Sequence, residues 1–142
     1  MQLMKEFWKA AVRNFQQIGG IFPSSRFACR NIVKLFPSHT QVVVEYGPGT
    51  GVLTTEILKR LPTTGKVYGI ELNDALAKYL KEFSDTRFHL ITADVAAFSA
   101  RLREVETQGI DVVDSGIPFS FIPSEVGETI INNTRQGLKS DG

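Results

Sequence analysis

Val42-Val43-Val44-Glu45-Tyr46-Gly47-Pro48-Gly49-Thr50-Gly51 is a β-branched apolar run that ends in a glycine-rich turn, and a helical pattern follows it. A short run that is apolar throughout suits a parallel strand buried on both faces. Gly47, Gly49 and Gly51 let the backbone turn tightly and approach a ligand closely. The stretch therefore reads as strand, turn and helix, with a nucleotide expected against the turn.

Two later runs repeat the pattern. Val67-Tyr68-Gly69-Ile70-Glu71 ends on an acid about 20 residues past the glycines, the spacing at which a carboxylate takes both hydroxyls of a ribose. Phe88-His89-Leu90-Ile91-Thr92-Ala93-Asp94 ends on another. Three successive strands thus finish on polar groups at their carboxyl ends, the edge at which open α/β sheets bind ligands. Between them, Val52, Leu53, Ile57, Leu58 and Leu61 mark a helix that stops near Pro62. Asn73 or Asp74 caps a second carrying Leu76, Ala77, Leu80 and Phe83, and Val95 to about Gln108 forms a third, mixed helix. Its Arg101, Arg103, Glu104 and Glu106 make a solvated face. A fourth strand spans Ile110 to Gly116, and Ser124 to Leu138 forms the last helix. This alternation implies right-handed crossovers and a parallel sheet.

The segment from Glu45 to Gly51, an acid followed by GxGxG, resembles the first motif of the class I S-adenosylmethionine-dependent methyltransferases. A dinucleotide-binding dehydrogenase would want glycine at Val52. The resemblance implies that Glu45, Tyr46, Gly47, Pro48, Gly49 and Gly51 face the methionine part of S-adenosylmethionine. It places Glu71 with Leu72 on the ribose, and Asp94 with Val95 on the adenine. It also implies an α/β, Rossmann-like sheet, here expected to be truncated to strands in the order 3-2-1-4, because the family's sheet continues past the turn at Leu138 to Gly142. A fourth strand at the edge is a pairing hazard, so self-association is expected.

Two further runs narrow the resemblance. Gly19-Gly20-Ile21-Phe22-Pro23-Ser24-Ser25-Arg26 and Ser115-Gly116-Ile117-Pro118-Phe119 are similar to segments of the bacterial phospholipid N-methyltransferases, which are related to the rRNA adenine dimethylases. Adenine-modifying enzymes carry Asn or Asp two residues before the proline, where this chain has Gly116. The resemblance therefore implies methylation of a phospholipid amine of the phosphatidylethanolamine type. Asp114, Ser115, Pro118 and Phe119 are then the catalytic candidates: Asp114 or water to accept a proton, and Phe119, Phe121 or Tyr46 to face the methylated cation. An RNA or small-molecule methyltransferase and a non-catalytic cofactor-binding or membrane-docking module are the alternatives.

The chain has 142 residues and a formal charge of +1, which suits one domain and argues against a nucleic-acid binder by bulk charge. The single cysteine, Cys29, excludes an internal disulfide and is expected to be reduced and buried. His39 and His89 lack the company of a metal ligand set. Residues 1–18 read as an amphipathic helix, with Leu3, Met4, Phe7, Trp8, Ala11, Phe15 and Ile18 opposite Lys5, Lys9 and Arg13. Such a helix suits a membrane interface or packing on its own domain. The domain itself is expected over 19–142, in the cytoplasm or peripheral on the inner face of the membrane, with lipid as partner.

Overall fold

A computed structural model of the chain describes residues 26–142; the amphipathic stretch 1–18 and the glycine-proline run after it lie outside the described residues. The elements are α1 (Arg26–Lys34), β1 (Val42–Tyr46), α2 (Val52–Arg60), β2 (Lys66–Glu71), α3 (Asp74–Leu80), β3 (Phe88–Thr92), α4 (Val95–Phe98), α5 (Leu102–Val105), β4 (Val112–Ser115) and α6 (Ser124–Gly137). Short 3₁₀ turns occupy Ser99–Arg101 and Phe119–Phe121. The four strands are all parallel, in the order β3-β2-β1-β4.

Burial follows position in the sheet. The inner strands β1 and β2 are buried along nearly their whole length, whereas β3 and β4, at the edges, are only partly covered. An apolar run without alternation is what a strand covered on both faces requires. Val43 and Val67 pack with Val33, Phe36, Ile57, Leu58 and Leu61, on the side of α1 and α2. Val44, Tyr46, Tyr68 and Ile70 pack on the other side with Leu102, Ile110 and Ile130. Each fully buried aliphatic or aromatic side chain contributes about 1.5–3 kcal/mol relative to exposure.

Two elements differ from the sequence expectation. The helix expected from Val95 to about Gln108 is broken by the 3₁₀ turn and ends at Val105. Ser99, 1% exposed, donates to the Ala96 carbonyl and accepts from the Asn133 side chain of α6. The bend that follows carries Leu102 against Gly137, where an added Cβ would stand 2.8 Å from the leucine Cβ. The fourth strand begins at Val112 instead of Ile110: the Asp111 N–H still donates to the Val42 carbonyl, but its side chain takes backbone N–H groups at the start of β1. Its Oδ2 accepts from the backbone N–H groups of Gln41 and Val42 and its Oδ1 from Lys139 Nζ. Ile110 makes only an isolated parallel bridge with Leu138.

Asn73 caps α3, its side chain accepting from the N–H groups of Ala75 and Leu76 at 3.0 and 3.2 Å. Asn73→Ala should lower stability by about 1 kcal/mol, measured as a shift of the urea midpoint with unchanged slope.

Candidate active site

β1 ends in a turn whose three glycines all have positive φ: 68° at Gly47, 59° at Gly49 and 79° at Gly51. Gly47 donates to the Ile70 carbonyl at 2.9 Å, tying the turn to the adjacent strand, and Gly51 donates to the Pro48 carbonyl. Their surroundings differ. A Cβ on Gly51 would lie 2.4 Å from Phe83 Cζ, and one on Gly69, beneath the turn, 2.8 Å from the Phe88 ring. A Cβ on Gly49 would meet nothing nearer than the Gly47 carbonyl at 4.0 Å. Helix and strand packing thus fill the space at Gly51, while Gly49 borders open space at the carboxyl edge of the sheet.

Glu71 closes β2 against that space. Its Oε1 accepts from the Asn73 N–H at 2.8 Å and its Oε2 from the Gly49 N–H at 3.3 Å, so the carboxylate is fixed beside the turn. Burial pushes its pKa up, opposed by the N–H groups of Asn73, Gly49 and Leu72. Asp94 caps α4, Oδ1 accepting from the Ala96 N–H at 2.9 Å, and its Oδ2 takes no hydrogen bond from the described residues. Val95 is buried beneath it and Leu72 is half-buried. Gly49, Glu71 and Asp94, on the ends of three adjacent strands, therefore supply a backbone cradle, a fixed carboxylate and a free acceptor oxygen. That donor and acceptor set fits an adenosine bearing a short polar tail.

The other predicted residues are placed differently. Glu45 is 2% exposed and receives the Thr54 hydroxyl at 2.6 Å, so it braces strand to helix. Burial pushes its pKa up to about 8; the Thr54 hydrogen bond opposes this, and the carboxylates of Asp114 and Glu71 add to it. Tyr46 points to the opposite side of the sheet, 1% exposed, its hydroxyl 2.8 Å from that of Thr134. The ring is sealed in the core, which removes it as a platform for a methylated cation. Pro48 is buried against Gly69.

Asp114 is the register partner of Glu45 and lies on the α1 and α2 side, whereas Phe119 packs with the other cluster, against Gly127 of α6. The structure does not bring these two candidates together, because alternation along β4 directs Asp114 away from the loop that follows it. Burial raises the Asp114 pKa, with the Ser115 N–H opposing. Ser115 Oγ accepts from the Ile117 N–H at 3.2 Å and shapes the turn into Pro118. Gly116 donates to the Tyr46 carbonyl at 2.8 Å, and Ile117 approaches Gly47, so this loop lies beside the glycine turn. Phe121 is 43% exposed.

Sequence reading missed Thr54 and Thr134, although a threonine within an otherwise apolar helix face is a signal for a buried partner. Cys29 is buried as expected, and burial, followed by the carboxylates of Glu45, Glu56 and Asp114, pushes its thiol up, away from the reactive thiolate. His89 stacks on Tyr68, and no cluster able to hold a metal occurs among the described residues. No helix among them is long and apolar enough to cross a membrane. A cleft of about 390 Å³ beside Arg103, Gly109, Leu138 and Lys139 lies where β4 begins, at the edge opposite the glycine turn.

The family model for ribosomal RNA adenine dimethylase matches residues 17–137. The ornithine lipid N-methyltransferase of Singulisphaera acidiphila is 29% identical, over 98% of this chain and 76% of that protein. Ribosomal RNA small subunit methyltransferase A of Pelagibacter ubique is 31% identical, over 85% of this chain and 44% of its own length. Among solved structures, the glycopeptide N-methyltransferase MtfA, complexed with S-adenosylmethionine, superposes with a TM-score of 0.62 at 18% identity, covering 82% of this chain and 51% of its own. The chain thus spans about half the length of several of the proteins it matches. The parallel sheet in the order β3-β2-β1-β4, the glycine turn facing Glu71 and the match over 17–137 together establish that the chain belongs to the ribosomal RNA adenine dimethylase family of S-adenosylmethionine-dependent methyltransferases.

Proposed function

We propose that this chain methylates the amine of a lipid head group, of the phosphatidylethanolamine type. The observation that carries the reading is Gly116. At the position where the resemblance to adenine-modifying enzymes leads one to expect Asn or Asp, this chain offers only a backbone N–H, already bonded to Tyr46. A lipid amine needs no such grip on a purine edge. The ornithine lipid N-methyltransferase, whose similarity extends over 98% of this chain, supports the same reading.

Bound S-adenosylmethionine supplies a sulfonium methyl open to in-line displacement. The glycine turn at Gly49 would face its methionine part, Glu71 and Asp94 would hold the nucleoside, and the loop from Ser115 to Phe119 would position the acceptor. Correct placement of two reactants is worth on the order of 7–11 kcal/mol, so positioning carries most of the rate. Glu71→Ala should weaken S-adenosylmethionine binding by about 1.5–3 kcal/mol, read by calorimetry, because a charge-assisted hydrogen bond is lost.

The family's name and the rRNA methyltransferase relatives favour RNA as the second reading. Labelled S-adenosylmethionine offered with detergent-solubilised aminolipids and with adenine-containing ribosomal RNA separates the two. Label is expected in lipid. Label in RNA, with lipid untouched, would replace this reading with the second.

A further inference from the structure

Helix α1 has a face that no other described element covers. Cys29 and Val33 turn inward, at 2% and 4% exposure. Arg26, Arg30 and Lys34 recur every fourth residue, fall within an arc of about 80° that begins beside Val33, and are all exposed. Phe27 borders this stripe, and Leu35 follows the helix end. At 73% and 82% exposure, these are the most exposed large apolar side chains among the described residues.

A single exposed leucine needs no explanation. This face combines two apolar residues with uncompensated charge. Helix α1 contains no acid, and Arg26 and Lys34 make no ion pair among the described residues. Arg30 shares the one carboxylate of Glu56 with Lys59 of α2, so even that acid is outnumbered. Helix α1 thus carries three cations and no acid in a chain whose net charge is only +1.

We infer that this face of α1 docks on an anionic lipid bilayer. Clustered Lys and Arg beside exposed Phe and Leu is the composition that lies in a membrane interface, the cations meeting lipid phosphates while the apolar groups enter the acyl boundary. RNA would satisfy the cations and could stack on Phe27, but it has no use for an aliphatic side chain as exposed as Leu35. The placement also suits the site. Arg30 of α1 pairs with Glu56 of α2, and Arg60 at the end of α2 donates to the carbonyl of Phe36 just past α1, so the two helices run side by side in the same direction, and α2 returns from the glycine turn against β1. Helix α1 therefore runs antiparallel to β1, with Arg26 and Phe27 at the edge that carries the glycine turn. A bilayer along this face lies next to the site, which deepens the lipid-acceptor reading and takes its purpose from it.

Flotation of the whole chain with vesicles of phosphatidylcholine, with and without phosphatidylglycerol, tests the inference. Binding is expected only with the anionic lipid and should weaken as salt rises. Arg26→Gln with Lys34→Gln should reduce it at least about tenfold, and Phe27→Ser with Leu35→Ser about as much, with unchanged melting. If either pair lowers the melting temperature, the single variants Lys34→Gln and Leu35→Ser replace it. Parent and variants binding alike, no vesicle binding by the parent, or tighter binding of a hairpin RNA governed by Arg26 and Lys34 would each overturn it. Transfer in detergent micelles keeps the two readings apart. The Phe27/Leu35 pair should methylate solubilised lipid at the parent rate and lose activity only on vesicles. Absent micelle transfer with intact docking would sink the lipid acceptor alone.

Discussion

Gly49→Ala should leave the protein folded and weaken S-adenosylmethionine binding, while Gly51→Ala should unfold it more readily. Both residues have positive φ, 59° and 79°, so each alanine carries the left-handed penalty of roughly 1–2 kcal/mol. Beyond that the two diverge. The Gly49 methyl enters open space and meets only the Gly47 carbonyl, at 4.0 Å, so its further cost falls on the ligand that occupies the cradle. Overpacking of about 1–3 kcal/mol there corresponds to a loss of affinity of roughly 5- to 150-fold. The Gly51 methyl collides with Phe83 and with Leu80 Cδ2 at 3.2 Å, both held in the packing of α3. Strain and overpacking together should cost about 2–5 kcal/mol of stability. Urea titrations and calorimetry on both variants measure the contrast. Equal loss of stability in the two would show that the space at Gly49 is not a ligand cradle.

Stability should fall as pH rises from about 4.5 to about 8, in part because of Glu45. Its folded pKa of about 8 lies above the unfolded value of 4.5. Across that interval the native state keeps a proton that the unfolded state has released. The native state therefore loses ground by about 1.4 kcal/mol per pH unit for this one group, and the loss levels off above pH 8. The contribution is fully present below the unfolded pKa and is lost as pH climbs through the folded one. Glu71 and Asp114, whose pKa values are also raised by burial, slope the same way. Glu45→Gln isolates the group, because the amide oxygen can still accept from Thr54 without ever ionising. Chemical denaturation at pH 5 and pH 8 should show the variant gaining on the parent by a few kcal/mol at the higher pH. A constant difference between the two proteins across that range would mean that Glu45 ionises as freely in the folded state as in the unfolded.

Glu45 and Glu71 lie on the same face of the sheet, since Glu45 is in register with Gly69, two residues before Glu71, and it is their partners that divide the labour. Glu45, which the resemblance places toward the cofactor, is turned down onto α2 and acts as a brace. The Gly49 turn and Glu71 form the open side. Acidic residues at strand ends look alike in a sequence, and both of these are buried; what distinguishes them is the partner, the Thr54 hydroxyl for Glu45 and the N–H groups of Gly49 and Asn73 for Glu71.

Parallel pairing and the position of the glycine turn were legible in the residues themselves, and the strand order was what the resemblance of the Glu45 to Gly51 motif implied. Long apolar runs that end in glycine or acid and alternate with helices call for a parallel sheet with right-handed crossovers. The Asn73 cap was legible for the same reason, since a local hydrogen bond depends on neighbours a few residues away. The tertiary structure decided what depends on distant partners. Asp111, one residue before β4, holds Gln41, Val42 and Lys139 with its carboxylate. Ser99 bent the helix after Asp94 because Asn133 reached it across 34 residues. Tyr46 was taken out of the site by Thr134, and Asp114 was parted from Phe119 by the pleat of β4. A sequence states which groups are present at each strand end, but the face each one turns to, and the long-range hydrogen bond it makes, exist only after the sheet has closed on both of its layers.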